Sequence, residues 1–303
     1  MIAQFALRLI CGMSLMWALM PRRQVTSGFF RIQMLVVMGL GVLAALAMVM
    51  QAQSDHAIFR MTNLPTSNAW FESPLAAGGP ASIIAFAGFL GSAFWTLGRR
   101  TGGERIGFAV LSLSAGLLIA TSFRIGIATL LQPRSAISAM SEIINARILH
   151  SQGWQPWHDW LAAASQLTSA AVLGGAVVGM LLGHWYLTTP TMSIEPLKRL
   201  NLFLGVAGLL RLIVSAAVVL MLWGGAFDSA ETSLRLAAAP KAWLGLRWLA
   251  GVIGPLVVSL MVWRILKYRN TQAATGVLFV GVILAFIGDM TAALLLQETG
   301  LPL

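Results

Sequence analysis

Five charged residues stand inside stretches that are otherwise apolar: Arg8, Arg124, Arg211, Arg247 and Asp289. A guanidinium is planar, permanently charged and purely a donor. Four of them around one carboxylate would make a site of formal charge 4 − 1 = +3, suited to an anion or a carbonyl-bearing headgroup. A plainer arrangement has Asp289 neutralising one arginine while the others extend their stems to lipid headgroups, and Arg247 is placed well for such snorkelling. Each charge would cost roughly 2.5–3.5 kcal/mol near a bilayer centre, so each must face protein or water.

Other chemistry is hard to build from this chain. Its ten acidic residues are scattered, no serine, histidine and aspartate fall at matching depth, and no phosphate-binding or dinucleotide fingerprint occurs. No catalytic constellation emerges, and Gly78-Gly79-Pro80 reads as a turn before a helix. The single cysteine, Cys11, excludes an internal disulfide and a thiolate-held zinc or iron–sulfur site. Of the four histidines, His56, His150 and His158 fall in or at connections on one side, whereas His184 closes the fifth apolar stretch in Gly183-His184-Trp185-Tyr186. His158 and His184 are 184 − 158 = 26 residues apart, roughly 39 Å along a helix, so they cannot ligate one haem. His184 reads as an interfacial hydrogen-bonding residue, and no metal site is expected.

The elements that must position the five charges follow from composition. Of 303 residues, 58% are hydrophobic and only 10% charged, with a mean hydropathy of +0.81. That excludes a soluble enzyme and makes the bilayer the solvent. Apolar runs predict eight transmembrane helices, near residues 2–20, 32–52, 81–98, 106–131, 161–187, 201–223, 243–266 and 275–296. The fold class is thus an all-α integral membrane protein. Along those helices Arg8 lies about 9 Å from one membrane edge, Arg124 and Asp289 about 10 Å, Arg247 about 6 Å and Arg211 near the midplane.

The net charge of +10 reflects topology rather than a nucleic-acid partner. The connections after odd-numbered helices carry Arg22, Arg23, Arg31, Arg99, Arg100, Arg105, Lys198, Arg199, Arg264, Lys267 and Arg269. The others carry only Arg60, Arg134, Arg147, Arg235 and Lys241. Positive residues mark the cytoplasmic face, so both termini are expected outside a bacterial inner membrane, with four of the five buried charges in the outer half. Trp17, Trp95, Trp185 and Trp263 at inner ends, and Trp70, Trp154, Trp157, Trp160, Trp223 and Trp243 toward outer ones, read as aromatic belts.

An internal repeat is also visible. Trp17 and Trp185, Arg31 and Arg199, and Trp95 and Trp263 all stand 168 residues apart (for the first pair, 185 − 17 = 168). Two four-helix units, 1–135 and 161–303, related by an axis along the membrane normal, would flank residues 136–160. Within that linker Ile137, Met140, Ile144 and Ile148 recur at helical spacing, predicting an amphipathic helix on the outer surface that caps the bundle. The outer connections 53–80 and 132–160 are the expected contacts for further membrane or extracytoplasmic subunits. Ala171, Gly175, Gly179 and Gly183 give the fifth helix a small-residue packing face, and Pro255 predicts a kink in the seventh.

Eight helices with both termini outside, two four-helix units and buried arginines near one surface resemble the quinol-interacting membrane anchor subunits of the polysulfide- and dimethyl-sulfoxide-reductase type. The resemblance is one of topology, with no shared motif. It implies a quinone as possible cofactor among Arg8, Arg124, Arg247 and Asp289, with electrons passing to a partner subunit of a respiratory or redox complex. The alternative expectations are a transporter of a small anionic solute and a structural or assembly membrane protein.

Overall fold

The computed structural model describes the backbone at residues 1–61, 74–122, 157–189, 192–223 and 240–299, and the structural statements below concern these residues. They are all-helical. The helices are α1 (Ile2–Leu19), α2 (Ser27–Met61), α3 (Pro74–Thr96), α4 (Arg100–Ser122), α5 (Trp157–Thr188), α6 (Glu195–Trp223), α7 (Lys241–Trp248), α8 (Gly254–Lys267) and α9 (Thr271–Thr299). A π-helical turn, Leu249–Ile253, joins α7 to α8 in one continuous rod, leaving eight helices long and apolar enough to cross a membrane. Their outward faces carry Leu46, Met50, Phe86, Leu209 and Leu220, all exposed. So broad an apolar girdle is stable only against hydrocarbon, which makes this a multi-pass membrane architecture.

Several helices start earlier than the apolar runs. Arg31, Arg105, Lys198 and Arg199 lie within the first two turns of α2, α4 and α6, because a basic side chain at a helix end reaches the headgroup layer without breaking backbone hydrogen bonds. The 53–80 connection is mostly helix: α2 runs to Met61 and α3 opens at Pro74, so Gly78-Gly79-Pro80 is helical rather than a turn. Pro80 lies inside α3 and removes one backbone hydrogen bond there. The amphipathic segment 136–160 falls outside the described residues except at its end, where α5 begins at Trp157.

Among the first four helices α1 packs on α2 and α4, α2 on α3, and α3 on α4. Among the rest α5 packs on α6 and α9, α6 on α8, and α8 on α9. The two sets meet chiefly where α1 crosses α5. There Gly12 and Gly174 bring backbone against backbone, since a Cβ on Gly12 would overlap the Ala170 carbonyl and one on Gly174 the Gly12 carbonyl. A second such crossing, Gly251 on Gly288, seats the π-turn against α9.

At the end where α1 finishes, the links are polar and aromatic. Arg22 pairs with Glu104 at 3.4 Å, with its guanidinium 5.0 Å from the Trp17 ring and 5.1 Å from Phe108. The α1–α2 and α5–α6 turns are tied together by Trp185 Nε1 donating to Thr26 Oγ1 (2.9 Å) and Ser193 Oγ donating to Gln24 Oε1 (3.1 Å). Trp17 and Trp95 do not sit in an aromatic belt. They are only 1% and 3% exposed, because Gly107 and Gly103 of α4 leave room for the two indoles inside the bundle. Trp160 and Trp263 do face outward.

The Gly12·Gly174 crossing gives a direct test. Gly174→Val should abolish the single symmetric peak of the detergent-solubilised protein in size-exclusion chromatography, because the branched side chain has nowhere to go. Gly276→Ala, at a position where nothing lies within 4 Å of a Cβ, should leave that peak unchanged.

Candidate functional site

The site begins with a charge pair. Arg8, six residues into α1, is 4% exposed, and Asp289 of α9 is 3% exposed. Arg8 Nη1 donates to both carboxylate oxygens, at 2.7 and 2.8 Å. Ser169 Oγ on α5 adds a third donor, 2.7 Å from Asp289 Oδ1, and Arg8 Nε donates to Gln166 Oε1. Three helices far apart in sequence thus share one network in which Arg8 donates through Nε and Nη1, and such pairing is what allows charge in a low-dielectric interior.

Arg211 reaches the same place from α6. Its Nη1 donates to the backbone oxygen and the hydroxyl of Ser165, at 2.6 and 2.7 Å, and at longer range to Thr168 Oγ1 (3.4 Å). Arg211 stands 16 residues beyond the start of α6 at Glu195, near the middle of that helix, and lines the same cavity as Arg8. Arg247 does not snorkel. It is 2% exposed and turned inward, with Nη2 3.3 Å from Ser215 Oγ on α6.

The position of Arg247 follows from the backbone beside it. Pro255 has no N–H to offer the preceding turn, and the chain widens there: Gly254 N–H reaches back five residues to the Leu249 carbonyl. The expected kink is thus a π-turn within a continuous helix. Gly251 within it has no side chain, so both the Arg247 guanidinium and the backbone of Gly288 can occupy that space. Asp289 follows Gly288 directly, so one close crossing sets the height of two of the charges.

Arg8, Ser165, Gln166, Ser169 and Arg211, together with Ala292 and Leu296, line a cavity of about 20 Å³. A single water needs roughly 10–15 Å³ on that measure. The space therefore takes one or two waters, or one monatomic anion, between two guanidinium groups. Arg8, Arg211 and Arg247 against Asp289 carry 3 − 1 = +2, and the sum stays positive even when Asp159, buried at the start of the fifth span, is included.

Of the expected site residues, Arg8, Arg211, Arg247 and Asp289 converge, whereas Arg124 and His150 lie outside the described residues, as do the side chains of His56 and His158. His184 is exposed at the end of α5. No group of histidine, cysteine, aspartate or glutamate able to hold a metal occurs among the described residues. Gly175, Gly179 and Gly183 face Leu204, Leu278 and Thr275 on α6 and α9, with Ala171 half-buried on the same helix. The polar face of α5 that supplies Ser165, Gln166, Thr168 and Ser169 was missed from sequence, because small polar residues in a membrane helix read as weakly apolar. The signal was their spacing of three and four, which puts them on one side.

Asp289→Asn leaves Arg8 buried without a counter-charge and should cost about 3–5 kcal/mol. This should be visible as a clear fall in the thermal unfolding midpoint in detergent, and Arg8→Gln combined with Asp289→Asn should recover much of it. Equal midpoints for wild type and the single variant would mean that the pair holds nothing together. No protein-family model, no curated protein and no solved structure matches this chain.

Proposed function

We propose that the protein is a membrane transporter of a small inorganic anion, bound between Arg8 and Arg211. The observation that carries this reading is the cavity itself: two buried guanidinium groups, two serines and a glutamine around space for a single small ion. In a low-dielectric site a net positive charge is stabilised by an anion far more strongly than in water. The neutral donors would replace part of the hydration shell that the ion loses.

A quinone headgroup fits less well. Its six-membered ring and two oxygens displace several times the volume of a water molecule. The carboxylate that would take up a proton already accepts from Arg8 and Ser169. Room for a headgroup would require Ala292 and Leu296 to withdraw.

Two further features support a transport role. The first four and last four helices pack in the same order, α2 and α6 begin 195 − 27 = 168 residues apart, and buried amides stand at Gln33 and Asn201, again 168 apart. We read these as two duplicated units, with the cavity at their seam, where transporters built from repeats hold their substrates. The basic residues collect at the opposite end from Arg8, so the cavity would open toward the outside of the cell membrane, with both termini on that side.

Vesicles containing the purified protein and loaded with potassium chloride should release chloride when valinomycin supplies the counter-current. Arg211→Gln should cut the rate at least tenfold. Release no faster than from protein-free vesicles, or equal in both proteins, would overturn the reading, and a quinone that co-purifies at one equivalent would favour the anchor-subunit role.

A further inference from the structure

The first four helices bury a second polar group that the Arg8 cavity does not use. Gln33 on α2 is only 2% exposed, yet neither its amide nitrogen nor its amide oxygen has a hydrogen-bond partner among the described residues. Ser14 Oγ and the indole nitrogens of Trp17 and Trp95 are likewise buried and unpartnered. Buried polar groups are nearly always paired, so four in one bundle call for an explanation.

Their placement is orderly. Trp17 meets Phe30 edge to face at a centroid distance of 6.4 Å, and Phe30 lies tilted against Trp95 at 4.7 Å. Ser14 precedes Trp17 by three residues on α1, and Gln33 follows Phe30 by three on α2. The antiparallel helices therefore set Ser14 and Gln33 about one turn deeper in the membrane than the aromatic layer. Further along α1 come Cys11, buried, and then Arg8. Below the indoles lies Arg22, at the end where α1 finishes. Polar groups thus follow α1 from one end to the other through a bundle otherwise filled with aliphatic and aromatic side chains.

The last four helices show what such an amide does when it is structural. Asn201, the counterpart of Gln33 at an offset of 168, donates through Nδ2 to the Ser259 carbonyl at 2.9 Å, and Ser259 Oγ donates to the Asn201 carbonyl at 3.1 Å. The counterpart of Ser259 is Gly91, because 259 − 168 = 91, and it lacks the hydroxyl that holds the Asn201 backbone carbonyl. Asn201 is thus fastened through its nitrogen, with Oδ1 buried and unpartnered, whereas both amide atoms of Gln33 lack a partner at the same register.

Resting on the transport reading above, we propose that the anion passes from the Arg8–Arg211 cavity through the first four helices, along α1, by way of a second binding point at Ser14, Trp17, Gln33 and Trp95. Two indole N–H groups, an amide NH₂ and a hydroxyl offer five donor hydrogens against two acceptor oxygens, those of the amide and the hydroxyl. That excess of donors favours a small anion over a cation. The donors carry no charge, so they hold the ion weakly enough to let it leave, as conduction requires.

The test compares wild type, Gln33→Leu and Arg211→Gln in the chloride-release assay, together with the rise in thermal midpoint produced by bromide. Removing an unpartnered amide should leave the midpoint of Gln33→Leu at or above that of wild type. The bromide-induced rise should persist, and chloride release should fall at least tenfold. A purely structural Gln33 would give wild-type release in this variant, which overturns the proposed route while a loss in Arg211→Gln leaves the transport reading standing. Absence of release from wild type would overturn both. Should Gln33→Leu fail to fold, Gln33→Met removes the same amide with a closer match of shape and is read in the same way.

Discussion

A guanidinium inside a bilayer has to be surrounded by acceptors before helices can close over it, and the Arg8–Asp289 pair is where this chain meets that demand. Arg8 comes from the first helix and Asp289 from the last, so forming the pair brings the two ends of the sequence together. Ser169 and Gln166 of α5 complete the shell, and this requires α5 to lie directly against α1. The Gly12·Gly174 crossing makes that possible, since any side chain at either position would hold the helices apart and stretch the hydrogen bonds beyond use. Charge pairing and close backbone approach are thus two aspects of one constraint.

The π-turn extends that constraint to the seventh span. A regular α-helix through Leu249–Ile253 would present Arg247 about 100° away from its present direction, toward neighbours or lipid rather than Ser215. The missing N–H of Pro255 makes the wider turn inexpensive, and Gly251 against Gly288 fixes its distance from α9. Arg247 therefore adds positive charge to the centre without lining the cavity. Its effect on an anion bound there would act through space, reinforced by the low dielectric around it.

The sequence makes the charges legible and leaves their partners obscure, for a physical reason. A charged residue in an apolar run is conspicuous because the bilayer penalises it, so Arg8, Arg211, Arg247 and Asp289 stand out from hydropathy alone. Which arginine meets the aspartate depends on contacts between residues up to 281 apart, and no local pattern encodes that. Ser165, Gln166 and Ser169 carry no such penalty and are inconspicuous. Trp17 and Trp95 mislead for a related reason: an indole at a helix end looks interfacial until the glycines of a different helix, Gly103 and Gly107, are seen to admit it. The span count was readable from hydropathy, whereas the helix starts were not, because basic residues that belong to helices read as loop.

Everything about the site turns on whether the space between Arg8 and Arg211 holds an anion. Anomalous scattering from crystals of the protein grown in bromide locates such an ion without reference to any activity. The account predicts one strong bromide peak within contact distance of the Arg8 and Arg211 guanidinium groups and the Ser165 hydroxyl. Bromide found only at the exposed arginines around Arg99 and Arg100, with density for water alone between Arg8 and Arg211, would contradict it.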